Sequence, residues 1–401
     1  MRIAKAPSIL ETVAISALLM ATVALSIDVL LPALGLMATE LGVDAGNSRQ
    51  LIITFVFLGL AAGQLVFGPL SDSIGRRPAI AIGVGLFALG GLTCALAQSF
   101  EMLLAGRFLQ GIGAAGPRLV TTAMIRDRFS GREMARIMSF VIGIFILVPV
   151  IGPSIGQALL LFLPWRGLFN LLSVVTVLGV VWLYMRQPET LVTPRPFRLT
   201  PILRAFVEVL RDRFAMAYSF ASGLCYGAIM GYVNSSQQVF QEFYSAGALY
   251  SVLFGIGGAF IALATISNSR LLNYFGMEQI CRAAMLLLVA LSLGFLALLF
   301  NTPQPPLWQF MAFTALAMFF LGLTFGNIQA IALENLGHIA GLATAIFATI
   351  STLSGMGVAS IIGLNFNMTL FPIIFGYLGA GVFAYLLMVW VAPSAKLGAE
   401  V

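Results

Sequence analysis

The chain has 401 residues, of which 60% are hydrophobic and only 9% are charged. A mean hydropathy of +1.01 excludes an ordinary soluble domain and predicts a membrane protein. The formal net charge of +6 is interpreted as a signal of membrane topology, because the basic residues gather in short connecting segments. No nucleic-acid partner is expected.

Twelve stretches are long and apolar enough to cross the hydrocarbon core, which takes roughly 20 helical residues. Each is predicted to be helical, because lipid offers no partner to a free backbone amide, so the fold class is an all-α membrane protein. With the N-terminus in the cytoplasm, the connecting segments place only Arg49 and Arg166 outside, and both termini are expected inside. The stretches lie near 9–31, 51–70, 78–98, 102–124, 137–160, 167–186, 214–236, 248–268, 283–300, 307–332, 339–364 and 370–392.

The first stretch contains Asp28, the only carboxylate deep within any of the twelve. Desolvation favours the neutral form of such a group and a nearby cation favours the ionised form, so its protonation can follow access to one side of the membrane. We expect Asp28 to carry a coupling proton. A structural acid paired with a basic or amide group is the alternative.

A charged turn separates the second and third stretches. Asp72 is expected to accept from amides at a helix end or to pair with an arginine. Gly68 and Gly75 would allow a tight turn and close helix approach. Arg76 and Arg77 would anchor the loop at the anionic inner leaflet. A topology anchor without further function is the alternative.

The fourth stretch holds two arginines. An arginine within a span is costly unless it meets an acid or water, so we expect a functional role for Arg107, with Asp28 as its acidic partner. Helical geometry returns Arg118 to within about 20° of the same face, roughly 16 Å along the axis. Snorkelling to the outer interface for Arg107, and to cytoplasmic phosphates for Arg118, are the alternatives.

The fifth stretch is rich in proline and glycine. Proline removes a backbone hydrogen bond and glycine leaves a notch, so this segment should bend and pack closely against a helix of the other half. The residues concerned are Pro149, Gly152, Pro153 and Gly156.

The longest polar connection runs from Arg186 to Arg213 and divides the chain into a bundle at 1–186, a cytoplasmic linker at 187–213 and a bundle at 214–401. Leu199 to Arg213 predicts an amphipathic helix on the inner membrane surface, and a plain tether is the alternative. Its apolar residues at helical spacing are Leu203, Phe206, Val207 and Leu210, opposite Arg204, Glu208 and Arg211.

A cavity rich in Phe and Met with few hydrogen-bonding groups favours lipophilic or amphiphilic, aromatic compounds over sugars. Each polar residue in a span can instead bond two helices. The candidate cargo contacts are Gln64, Arg118, Tyr226, Tyr232, Asn234, Gln237, Asn327 and Gln329. Three scattered cysteines and a single histidine, His338, exclude a disulfide framework and an ordinary metal site, and no cofactor is expected.

These features resemble the major facilitator superfamily, and within it the twelve-span drug/proton antiporters of the bicyclomycin-resistance type. The turn from Gly68 to Arg77, the segment around Arg107 and the Gly-Pro segment ending at Gly156 are similar to three motifs of that group. The stretch Glu334-Asn335-Leu336-Gly337-His338 resembles its loop between spans ten and eleven.

The resemblance implies two pseudo-symmetric six-helix bundles with a substrate site between them. It also implies that the Gly68–Arg77 turn latches the outward-facing state, that Asp28 and Arg107 couple protons, and that the Gly-Pro segment marks an exporter. We therefore predict a monomeric secondary transporter of the inner (plasma) membrane, not an enzyme, that exchanges protons for lipophilic drugs. An exporter of an endogenous metabolite, and a transport-incompetent sensor or assembly partner, are the alternatives.

Overall fold

The computed structural model of the chain describes residues 8–43, 47–129, 131–191, 193–194 and 199–391. Their regular secondary structure is entirely helical, as the predicted all-α class requires. The chain divides into two compact units, Met1–Ile202 and Leu203–Val401, which are described separately below. The predicted bundle boundaries at 186 and 214 remain a prediction.

The first unit is built from long helices joined by short connections. Serine side chains begin two of them, because the hydroxyl groups of Ser8 and Ser99 accept hydrogen bonds of 3.2 Å from the amides of Glu11 and Met102. The helices are α1 (Ile9–Asp28), α2 (Leu34–Glu40), α3 (Leu51–Ile74), α4 (Arg76–Ala95), α5 (Phe100–Arg128), α6 (Gly131–Leu159), α7 (Trp165–Arg186) and, crossing into the second unit, α8 (Leu199–Arg211).

Helix α5 packs along both α3 and α4, and small residues allow the close approach. A Cβ atom added at Gly83 of α4 would lie 2.9 Å from the carbonyl oxygen of Gly113 on α5. A Cβ atom added at Gly63 of α3 would lie 2.7 Å from the Cβ atom of Ala115. Larger residues at these glycines would push α5 away from its neighbours.

The second unit begins with a carboxylate cap. Asp212 accepts from the amides of Phe214 at 2.8 Å and Ala215 at 3.0 Å, which starts the next helix. The helices are α9 (Arg213–Gln237), α10 (Tyr250–Leu271), α11 (Met277–Asn301), α12 (Leu307–Gly322), α13 (Phe325–Ala332), α14 (Ala340–Leu364) and α15 (Phe371–Val391). α9 packs chiefly against α14 and α15.

Several helices depart from the predicted stretches. The seventh continues beyond α9 as one turn of π-helix, Gln238–Phe243. The tenth, predicted over 307–332, divides into α12 and α13, and at the break the amide of Thr324 bonds the carbonyl of Leu321 at 3.1 Å in a tightened turn. Apolar length predicts that a helix exists, but it carries no signal for such local changes of winding.

Ten helical segments of the described residues are long and apolar enough to cross a membrane. They are Ile9–Glu40, Asn47–Ile74, Arg76–Ala95, Trp165–Arg186, Arg213–Phe243, Tyr250–Leu271, Met277–Asn301, Leu307–Ala332, Gly341–Leu364 and Phe371–Val391. The other two predicted stretches fall on α5 and α6, which are helices of 29 residues each.

Candidate functional site

Asp28 is the last residue of α1 and is buried within the first unit. The helix ends there because Pro32, four residues on, has no amide hydrogen to donate to the carbonyl oxygen of Asp28. Within the part of the chain that the structure describes, the carboxylate has no hydrogen-bond or ion-pair partner. Burying an unpartnered carboxyl group is costly, and Asp28 is therefore the leading candidate for function.

Asp28 lies directly against the Gly-Pro segment of α6. A Cβ atom added at Gly152 would lie 2.5 Å from the Cβ atom of Asp28, and one added at Gly156 would collide with the carbonyl oxygen of Val29. Both glycines thus face α1 of the same unit. The predicted packing of this segment against a helix of the other half remains a prediction. Pro153 is also buried, whereas the side chain of Pro149 lies outside the described residues.

Arg107 is fully buried on α5 and holds three helices together. Its Nε donates to the carbonyl oxygen of Ile52 at 3.1 Å, and its Nη1 donates to the carbonyl oxygen of Ser26 at 3.0 Å and to Oε1 of Gln110 at 2.6 Å. The guanidinium carbon lies 5.7 Å from the centre of the Phe169 ring on α7. Nη2 has no partner among the described residues.

The expected ion pair between Arg107 and Asp28 does not form among these residues. The guanidinium group instead bonds the carbonyl of Ser26, two residues earlier in the last turn of α1. Carbonyl groups in the last turn of a helix lack helical partners and carry partial negative charge, so they attract a cation. The backbone of α1 thus takes the place predicted for the carboxylate.

The charged turn between α3 and α4 is centred on Arg76. Its Nη1 donates to Asp72 Oδ1 at 2.5 Å and to Ser71 Oγ at 2.7 Å, and its Nε donates to Asp127 Oδ2 on α5 at 2.8 Å. Arg77 donates from Nη2 to the carbonyl oxygen of Tyr184 at 2.7 Å. Both arginines therefore bond groups within the protein. Their anchoring of the loop at the anionic inner leaflet remains a prediction.

Glu189 completes this turn, and sequence reasoning did not single it out. Its two carboxylate oxygens accept from the amides of Arg76 at 2.9 Å and Arg77 at 3.0 Å, which caps α4 from a position 113 residues along the chain. Gly75 has a φ of 104°, and a Cβ atom there would lie 2.8 Å from Glu189 Oε2. Gly75 is thus required on both grounds, whereas Gly68 faces open space and the close approach predicted there was wrong.

The environment of Glu189 changes its acidity. Burial would raise the pKa of its carboxyl group, but the amides of Leu191, Arg76, Arg77 and Thr190 together bring the pKa below its ordinary value. The one available sequence signal was an isolated acid among the arginines of the linker. A sequence cannot show that two amides of a distant helix turn toward that acid.

Two residues just before Glu189, Arg186 and Gln187, bond two more helix ends. Arg186 donates to the two carboxylate oxygens of Glu11 at 2.5 and 2.9 Å. Gln187 donates to Thr12 Oγ1 at 3.1 Å and accepts from Arg128 Nη1 at 2.7 Å. The segment that follows α7 therefore contacts the start of α1 and the end of α5, as well as the turn before α4.

The candidate cargo contacts of the first unit differ in their surroundings. Gln64 is buried on α3, and its Oε1 has no partner among the described residues. Arg118 is half-buried on α5 and has an interaction partner. Gln64 is the better candidate for a ligand contact, because its buried acceptor remains open.

In the second unit, α9 carries several buried polar groups that have no partner among the described residues. Asn234 is buried with neither side-chain atom hydrogen-bonded among the described residues, and the same is true of the Tyr232 hydroxyl. The ring of Tyr232 stacks on Phe254, with centroids 5.6 Å apart and planes 9° apart. Asn234 and Tyr232 thus combine open hydrogen-bonding groups with an aromatic surface.

The remaining candidates of the second unit are less open. Asn327 exchanges hydrogen bonds of 3.1 and 2.8 Å with Asn268, so it bonds two helices. Gln237 donates to Gln241 at 3.0 Å, and its buried Oε1 has no partner among the described residues, so it stays as open as Gln64. Tyr226 is half-buried with an interaction partner, and Gln329 is exposed. The side chain of the single histidine, predicted at the loop before α14, lies outside the described residues.

The Major Facilitator Superfamily family model matches residues 16–360. This covers most of the chain and nearly every helix described above. The chain belongs to the major facilitator superfamily. The predicted family is thereby confirmed, and with it the prediction that this protein is a membrane transporter and not an enzyme.

Similar transporters include proteins of the predicted group. The chain is 33% identical over 85% of its length to an uncharacterized MFS-type transporter, YdgK, of Bacillus subtilis, and spans 85% of that protein. It is 28% identical over 92% of its length to a bicyclomycin resistance protein homolog of Haemophilus influenzae, spanning 93% of it. A multidrug resistance protein, MdtL, of Klebsiella pneumoniae is 34% identical over 54% of this chain and 55% of its own.

Solved structures agree on the fold. The crystal structure of a D-xylose-proton symporter superposes with a TM-score of 0.71 at 15% identity, covering 95% of this chain and 97% of the symporter. The human organic anion transporter MFSD10 superposes with a TM-score of 0.65 at 18% identity, covering 95% and 100%. At such identities the likeness shows the major facilitator fold and no more.

Proposed function

We propose that this transporter is a secondary active exporter that exchanges protons for lipophilic or amphiphilic small molecules. The observation that carries the proposal is the buried carboxylate of Asp28, which has no partner among the described residues and lies against Gly152. Relatives named for bicyclomycin and multidrug resistance support the choice of drugs as cargo.

Asp28 would exchange the coupling proton. A lone carboxyl group in an apolar site holds its proton until water, a cation or cationic cargo offsets the cost of its charge. Arg107 would fix the end of α1 and so the position of Asp28, through its hydrogen bond to the carbonyl of Ser26. Its remaining donor, Nη2, would be available to an anionic or carbonyl group of the cargo.

The cargo site would include apolar and aromatic surface with few polar groups. In the second unit, the stacked pair of Tyr232 and Phe254 suits a planar aromatic molecule, and the open amide of Asn234 suits one or two hydrogen bonds. In the first unit, Oε1 of Gln64 offers a separate open acceptor. Such a lining favours aromatic amphiphiles over sugars, because a sugar requires many polar contacts.

The architecture would be that of twelve spans, with α5 and α6 added to the ten segments that meet the length and hydropathy limits. The two six-helix bundles would transport cargo by alternating access. The protein would be a monomer in the plasma membrane, with both termini in the cytoplasm. The turn around Arg76 and Asp72 would latch the outward-facing state, since Ser71, Asp72 and Asp127 all bond the Arg76 side chain in a single cluster.

Purified protein in inverted vesicles would test the proposal. An imposed pH gradient should drive uptake of lipophilic cations or zwitterions, and Asp28→Asn should abolish gradient-driven uptake while leaving cargo binding measurable. Glu278→Gln is a matched control, because Glu278 lies in an i,i+4 pair with Arg282 on the surface of α11. This control should transport normally.

The outcomes separate the alternatives. Gradient-driven movement of a cell metabolite, with no response to any drug, would favour an exporter of that metabolite. Binding without gradient-driven movement of any compound would overturn proton antiport and favour a sensor or assembly partner.

A further inference from the structure

Helix α8 presents three different faces along its 13 residues. Ala205 and Val209 are 2% and 1% exposed, so one face packs on the protein. Leu203, Val207 and Leu210 are 61%, 45% and 43% exposed and fall within about 60° of one another on the helix. Exposing this apolar stripe to water is unfavourable, so we expect it to contact an apolar partner.

The third face carries two arginines and one acid, Glu208, which has an interaction partner. Arg204 and Arg211 project about 20° apart and are exposed, and neither has an ion-pair partner among the described residues. The neighbouring acid Asp212 is occupied in capping α9 through the amides of Phe214 and Ala215. Both amides bond Oδ1, and Oδ2 forms no ion pair with Arg211 among the described residues.

The position of α8 in the sequence indicates that its partner is the membrane surface. α8 ends at Arg211, Asp212 is extended with φ −76° and ψ 105°, and the candidate membrane span Arg213–Phe243 follows at once. The end of α8 is thus separated from a candidate membrane span by a single residue. A helix that carries an apolar stripe beside two arginines, and that lies next to a membrane span, is suited to the boundary between the acyl chains and the phosphates of a bilayer.

We propose that α8 is a binding site for anionic phospholipid headgroups at the membrane surface. Leu203, Val207 and Leu210 enter the acyl boundary, and Arg204 and Arg211 contact lipid phosphates. This contact would fix the linker to the bilayer. The proposal does not depend on the identity of the cargo or on proton coupling.

Cysteine labelling of the full-length protein tests this contact. The three native cysteines are buried, so a new surface cysteine can be labelled selectively. An environment-sensitive fluorophore is attached at Val207→Cys or, as the matched control, at Glu208→Cys, about 100° around the helix. The protein is reconstituted in vesicles of phosphatidylcholine with and without phosphatidylglycerol, each with a spin-labelled lipid as quencher.

Quenching at position 207 should exceed that at 208 and should rise with the phosphatidylglycerol content. Replacing Arg204→Gln and Arg211→Gln together should remove the phosphatidylglycerol-dependent part, since each neutralised arginine weakens the contact by about fivefold. Arg204→Lys with Arg211→Lys should retain it. Size-exclusion profiles identify any variant that fails to fold. If the arginine variants fail to fold, the phosphatidylglycerol titration of the labelled protein with Arg204 and Arg211 intact still tests the lipid contact.

Two outcomes would overturn the proposal. Equal quenching at 207 and 208, or quenching that ignores the phosphatidylglycerol content, would exclude anionic lipid as the ligand. Cross-linking between cysteines at 207 of two copies, in place of lipid quenching, would show that a second copy covers this stripe.

Discussion

Arg107 on α5 donates a hydrogen bond of 3.0 Å to the backbone carbonyl of Ser26, in the last turn of α1. The bond holds the end of α1 two residues before the buried Asp28. A charged side chain thereby fixes the position of a carboxylate without forming an ion pair with it.

Replacing Arg107 should therefore be costly to the fold. Arg107→Met leaves the carbonyls of Ser26 and Ile52 and Oε1 of Gln110 without this donor, and it should destabilise the protein by about 1–3 kcal/mol. Arg107→Lys keeps one donor group and should lose less. Thermal unfolding in detergent measures the difference, and an unfolding temperature of Arg107→Met equal to that of the wild type would contradict the inference.

Gly152 should tolerate no side chain. Gly152→Ala places a Cβ atom 2.5 Å from that of Asp28, so α1 and α6 must separate at an expected cost of about 1–3 kcal/mol. Gly294→Ala on α11 is the matched control, because nothing lies within 4 Å of its added Cβ atom and alanine favours the helix. Both unfolding temperature and gradient-driven uptake should fall for Gly152→Ala only. A loss of the same size in both variants would refute the close packing.

Glu189 should make stability depend on pH. Its folded-state pKa lies below the ordinary value, so its stabilising effect is fully present above the ordinary pKa of a glutamate and is lost as pH falls through the lowered value. Glu189→Gln should remove this part of the acid sensitivity. Unfolding temperatures of the two proteins should differ at neutral pH and converge toward acidic pH. A constant difference across that range would argue against the ionised cap.

Asn268 and Asn327 should behave as a unit. Asn327→Leu leaves the amide of Asn268 without its partner, and a loss of about 1–2 kcal/mol is expected. The double variant Asn268→Leu, Asn327→Leu should lose less than the sum of the two single variants, because no amide is then left unpaired. Strict additivity in unfolding measurements would show that the pair is not coupled.

The helices were predictable because lipid allows few alternatives. An apolar stretch of span length must satisfy its own amides, so α7, α11 and α15 follow from length and hydropathy. Breaks such as the one at Thr324 were missed, since the same apolar residues fit an α-helix or a tightened turn.

The candidate site was predictable only in part. Asp28 and Arg107 stand out because a charge in an apolar stretch is rare. The acceptors of Arg107 give no such signal. Every residue has a backbone carbonyl group, and the sequence does not show which carbonyl groups lack a hydrogen bond within their helix. Glu189 was missed for the same reason: its partners are backbone amides of α4.

The bond pattern of Arg107 also bears on biosynthesis. Its backbone acceptors on neighbouring helices, Ser26 and Ile52, both precede it in the chain, so they leave the ribosome first. α5 alone would bring an uncompensated cation into the bilayer, but by the time it emerges α1 and α3 are already synthesised. The helices that carry the acceptors are therefore made before the helix that carries the buried arginine, so the acceptors are available when α5 enters the membrane.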